Sequence, residues 1–121
     1  MGAYDTEISK ALQAHGMWKV RLKTGIELGR LEVPAANVSK DNLCDFGRWL
    51  VDAETDPGLS GLAEFRKVVD LHREFHGVAG GIAGHIEAGD KASAVAELEG
   101  GTFDDLSGRL GAALMALKRA S

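Results

Sequence analysis

Phe65-Arg66-Lys67-Val68-Val69-Asp70-Leu71-His72-Arg73-Glu74-Phe75-His76 carries apolar residues every three to four positions, the period of a half-buried helix. Extended in both directions, the pattern predicts a long helix from about Leu62 to Ala88, stopped by Gly89. Its inward positions are Phe65, Val68 or Val69, His72, His76, Ala79 and Ala83. His72 and His76 stand four residues apart, one helical turn, so both imidazoles leave the same face.

The flanking segments repeat this periodicity and show no strand-like alternation. A first helix is expected from about Asp5 to Leu28, capped by Asp5 or Thr6, with Ile8, Leu12, His15, Trp18 or Lys19, Leu22 and Ile26 buried. Arg30 to Val38 contains Pro34 and reads as a loop. Ser39 is placed to cap a shorter helix from Lys40 to about Ala53, with Leu43, Cys44, Gly47, Leu50 and Val51 inward. A glycine at 47 would let another helix come close. Asp56-Pro57-Gly58 signals a turn. Asp90 can cap a fourth helix, which Gly100-Gly101 should break before Thr102 restarts a run through Phe103, Leu106, Leu110, Leu114 and Leu117. The expected fold is all-α: an antiparallel four-helix bundle with a short second helix and a kinked or split last one.

At 121 residues the chain is read as one domain, residues 1–121. Its net charge of −4 argues against nucleic acid as the main partner, because phosphate binding needs a basic patch. No run approaches the roughly 18–20 apolar residues of a membrane span, and no secretory pattern opens the chain, so a cytoplasmic location is expected. A single cysteine excludes a disulfide within the chain. Cys44 is then a free thiol, a metal ligand or an intermolecular link.

His15, Cys44, His72 and His76 all fall on inward helical faces. Three imidazole nitrogens and one thiolate would complete a closed tetrahedral zinc site. Taken singly, each has a plainer reading. A histidine on an apolar face is commonly a hydrogen-bonded core residue, and a buried cysteine a small hydrophobe. His85 lies nine positions after His76, on the opposite side of the helix, and reads as a surface residue. Trp18, Trp49, Phe46 and Phe75, at helical spacing among apolar neighbours, read as core.

His15-Gly16-Met17-Trp18, then Cys44-Asp45-Phe46-Gly47-Arg48-Trp49-Leu50, then His72-Arg73-Glu74-Phe75-His76 resembles the chemoreceptor zinc-binding (CZB) domain, with the motifs in order across residues 12 to 83. The resemblance implies Zn2+ held by His15, Cys44, His72 and His76, and aromatics that wall off the site. It also implies a sensory or regulatory module, commonly a homodimer, attached to a chemoreceptor or to a diguanylate cyclase making cyclic di-GMP. Members respond to zinc or, through the zinc-bound cysteine, to oxidants such as hypochlorous acid. The alternative is a structural dimerisation domain that zinc merely staples.

Catalysis is not expected. A zinc peptidase helix has its glutamate directly after the first histidine, whereas Glu74 follows His72 by two, about 200° around the helix. A four-ligand site also leaves no position for activated water. One sequence feature stands apart: Gly77, Gly80, Gly81 and Gly84 crowd the turns after His76, at a cost of about 3–4 kcal/mol in helix propensity. Close packing across small residues explains such a run; so would a helix ordered only when metal is bound.

Overall fold

The computed structural model describes residues 4–42 and 44–121. Its helices are α1 (Asp5–Gly16), α2 (Trp18–Leu28), α3 (Ala35–Val38), α4 (Asp45–Ala53), α5 (Pro57–Ser60), α6 (Ala63–Glu87), α7 (Lys91–Glu99) and α8 (Thr102–Ala120), with no strand among the described residues. Four arms make an antiparallel bundle: α1 with α2, the short α4, the long α6, and α7 with α8. The last arm is split where expected, with Gly101 in a left-handed conformation at φ 100°.

Cross-links between arms fix the directions. Lys118 reaches Ser9 at one end and Lys19 reaches Asp104 further along, so α8 runs back beside α1 and α2. Arg66 pairs with Glu54, and His85 with Glu97, setting α4 and α7 antiparallel to α6. The core between the arms holds Ile8, Leu22, Phe65, Phe75, Phe103 and Leu114, all essentially inaccessible to water.

Several local expectations are corrected. The first helix is not continuous: it breaks at Met17, directly after Gly16, whose missing side chain favours a kink. The break lets α1 face α8 and α4 while α2 faces α6 and α7. Tyr4, not Asp5 or Thr6, precedes the first turn, and it makes no side-chain cap. The expected loop before Val38 contains α3, which starts immediately after Pro34, whose fixed φ suits the entry to a helix.

The short arm also begins later than Lys40. Cys44 adopts an extended conformation (φ −80°, ψ 159°) and caps α4 itself, its Sγ accepting the Gly47 N–H at 3.2 Å. Ser39 instead ends α3 and turns its hydroxyl back to the Ala35 carbonyl. With this start, Phe46, Gly47, Leu50 and Ala53 form the buried face and Val51 is turned out, 59% exposed. Gly47 admits its own preceding loop rather than another helix: a Cβ there would overlap the Asp41 carbonyl. Leu43, expected inward, lies outside the described residues.

Candidate metal centre

His15 arrives from the last turn of α1, Cys44 from the cap of α4, and His72 and His76 from successive turns of α6. One donor atom from each lies within 4.8 Å of the other three. His72 Nε2 is 3.1 Å from His15 Nε2 and 3.4 Å from Cys44 Sγ, and His76 Nε2 is 3.7 Å from the same sulfur. With Zn–N near 2.05 Å and Zn–S near 2.3 Å, the edges of a tetrahedron are roughly 3.3 Å between nitrogens and roughly 3.6 Å from nitrogen to sulfur. The three short distances match these edges, and the remaining pairs lie within 4.8 Å.

The nitrogens facing away from the cluster orient the rings. His15 Nδ1–H donates to the Ala11 carbonyl at 2.8 Å, and His76 Nδ1–H to the Val38 carbonyl at 3.0 Å. Each bond fixes a tautomer that leaves the Nε2 lone pair facing inward. His72 differs, because its buried Nδ1 has no hydrogen-bond partner among the described residues. Backbone carbonyls thus take the outer role for His15 and His76. Asp45 and Asp70 are exposed; Asp41 is half-buried, and its charge favours the protonated form of His76.

Burial governs the charges. It lowers His15 to about 4, and the bond to Ala11 offsets this only in part. His72 is lowered by burial and then by the neighbouring His15 and His76, and His76 is also lowered by burial. The Cys44 thiol is pushed up by burial, against the opposing pull of the Gly47 N–H. At neutral pH the protein therefore presents three uncharged imidazoles, ready as ligands, and a thiol that must lose a proton to become one.

Aromatic rings pack around the histidines. Phe46 meets both His15 and His72 edge-on, Phe75 meets His15 and His76, and Trp18 meets His76. Trp49 stacks on Phe46 with the planes 18° apart. These rings are packing elements, as their spacing indicates. The sulfur side is less closed: Cys44 is only half-buried, and cavities of about 570 Å³ and about 430 Å³ both reach it, with Arg21 and Arg48 lining each. Sequence reasoning missed this opening, which depends on Cys44 lying at a helix start. Glu74 points to solvent and His85 lies apart from the cluster, bridging to Glu97 on α7 at 2.8 Å.

No described helix is long and apolar enough to cross a membrane. Comparison with curated proteins and with solved structures found no match. The family model described as chemoreceptor zinc-binding domain matches residues 15–83, a span that opens on His15 and takes in Cys44, His72 and His76. That span is more than half of the 121 residues, and the chain belongs to the chemoreceptor zinc-binding domain family.

Proposed function

We propose that this chain is a single regulatory domain that binds one Zn2+ through His15, His72 and His76 Nε2 and Cys44 Sγ. In this reading it is a cytoplasmic, non-enzymatic homodimer controlling a signalling output such as chemotaxis or cyclic di-GMP synthesis. The observation that carries the reading is the convergence of four suitable donors from three separate helices, all within 4.8 Å of one another. Zinc supplies a cross-link there, and with one thiolate and three neutral imidazoles the centre carries a net charge of about +1. Without zinc, polar side chains from α1, α4 and α6 stand packed together, each costing about 1–3 kcal/mol where it lacks a partner. The relative positions of those helices then depend on occupancy, and a dimer interface transmits the difference.

Elemental analysis of wild type beside Cys44→Ala, with titration against a calibrated chelator, tests the site. One zinc per chain, much weakened by the substitution, is expected. No zinc after reconstitution of wild type would return the four residues to the core and remove the regulatory reading.

The half-buried sulfur supports a second, redox form of the same function. A thiolate attacking hypochlorous acid takes its oxygen and proton and releases chloride, leaving sulfenic acid, a poorer metal ligand. Mass spectrometry after mild hypochlorous acid is expected to find Cys44 oxidised and zinc released. An unmodified Cys44 with zinc retained would leave zinc itself as the signal, or zinc as a structural staple for a dimer.

A further inference from the structure

The acceptor that orients His76 belongs to a helix unable to hold itself in place. Val38 closes α3, four residues long, and one turn has too few internal hydrogen bonds to persist alone. Beside the buried side chains of Ala35 and Val38, two polar or close contacts with α6 fasten its ends. Glu87 Oε2 accepts the Ala35 N–H at 2.7 Å, satisfying a first-turn amide that no helical carbonyl can reach. At the other end, Ser39 is seated on Gly80: a Cβ on that glycine would come 2.7 Å from Ser39 Cα and closer still to its hydroxyl. His76, Gly80 and Glu87 fall at intervals of four and seven residues, which keeps them within roughly 40° of one another on a single face of α6. The helix α3 lies along that face, presenting the Val38 carbonyl to His76 Nδ1.

We propose that Glu87, about 16 Å along α6 from His76, is a positioning residue for the metal centre. By holding the first amide of α3, it keeps the Val38 carbonyl where it accepts the His76 Nδ1–H, and so keeps His76 Nε2 free and aimed at the cluster. The proposal rests on the reading of His76 as a zinc ligand. Coupling is reciprocal, so zinc on His76 must also steady α3 and the Ala35–Glu87 bond.

The experiment compares wild type, Glu87→Ala and Glu87→Gln as purified full chains. Three quantities are measured: zinc affinity by chelator competition, amide exchange at Asn37, Val38 and Ser39 without metal, and the 15N shifts of His76. Glu87→Ala is expected to weaken zinc roughly 3–10-fold, below the 10–100-fold of a direct outer partner. It should also speed exchange at those amides and shift His76 Nδ1, while bulk helicity is unchanged. Glu87→Gln keeps an accepting oxygen and should stay within about twofold of wild type.

Wild-type affinity, exchange and His76 shifts in Glu87→Ala would overturn the proposal. So would equal weakening in both variants, which would mark an effect of charge rather than of the hydrogen bond. If the wild type binds no zinc, the metal reading of His76 falls by itself. The exchange and 15N comparison then still bears on the clamp: faster exchange with a shifted His76 supports it, and no change removes it.

Discussion

His72 Nε2 and His15 Nε2 face each other at 3.1 Å in the interior of the bundle. Two nitrogens at this distance need one proton between them. The proton of His15 is on Nδ1, committed to the Ala11 carbonyl, so the donor is His72. The assignment agrees with His72 Nδ1, which has no partner among the described residues and carries no hydrogen in that tautomer. A metal ion on His72 Nε2 displaces this proton to Nδ1. Long-range 15N–1H spectra should thus show His72 as the Nε2–H tautomer without metal and the Nδ1–H tautomer with zinc, His15 and His76 remaining Nδ1–H throughout. Finding His72 already Nδ1–H in the metal-free protein would refute the assignment.

Zinc binding near pH 7 should release about one proton per ion. The imidazoles are held below their usual range by burial and are already neutral, and the His72 proton changes nitrogen without leaving. Only the Cys44 thiol, pushed up by burial, has a proton to lose. Calorimetry in buffers of different ionisation enthalpy counts it. Cys44→Ala should release none and bind zinc more weakly by more than the 10–100-fold typical of outer partners. Two or more protons from the wild type would mean that a histidine is charged in the metal-free cluster.

Mild acid should destabilise the metal-free protein through the same histidines. A group whose folded value is depressed binds fewer protons folded than unfolded between the two values, so stability falls as pH falls. For His15 the interval runs from 6.5 down to about 4, and full protonation of the unfolded state there amounts to roughly 3 kcal/mol. His72 and His76 act in the same direction. Urea unfolding of the metal-free protein should be most favourable to the fold above pH 6.5 and weaken steadily below it. His15→Gln should flatten the slope, and an unchanged slope would show that His15 does not contribute.

How far the sequence foretold this depended on what each residue answers to. The bundle and the inward placement of His15, His72 and His76 follow from 3.6-residue periodicity, which reports burial directly. The breaks at Gly89 and Gly101 were legible too, because both glycines take positive φ. Cys44 as a helix cap was not legible: Ser39 and Asp41 are better caps by propensity, and the start is set by the fold of the preceding loop, whose Asp41 carbonyl is pressed on Gly47. Nor was α3, since neither Glu87 nor Gly80, far along the chain, announces that it will fasten Ala35 and Ser39.

Gly77 and Gly84 differ in kind from Gly80, and substitution should separate them. A Cβ at Gly77 or Gly84 meets nothing within 4 Å, whereas one at Gly80 collides with Ser39. Gly77→Ala should therefore stabilise the protein by about 0.5–1 kcal/mol through helix propensity alone. Gly80→Ala gains the same propensity but must push α3 away, with a net loss of about 1–3 kcal/mol and weaker zinc binding. Urea midpoints and chelator competition read both. A stabilised Gly77→Ala with normal zinc affinity would also count against a helix kept soft for metal-dependent ordering, whereas lost zinc response would favour it.

Chelation distinguishes a regulatory site from a staple. Phe103, Leu110, Leu114 and Leu117 on α8 are buried against other arms, and none belongs to the donor cluster. Each such side chain contributes on the order of 1.5–3 kcal/mol by leaving water, whether or not metal is present. The arms should accordingly stay assembled when zinc is removed, unlike a small finger that folds only around its metal. Zinc at a thousand times its dissociation constant adds about 4 kcal/mol to such a fold. The expected result at neutral pH is a metal-free protein with near-full helical circular dichroism and a cooperative melt, displaced downward from the zinc-loaded one. Loss of the cooperative transition on chelation would leave zinc as a structural staple, because a sensor needs a folded state for each of its two answers.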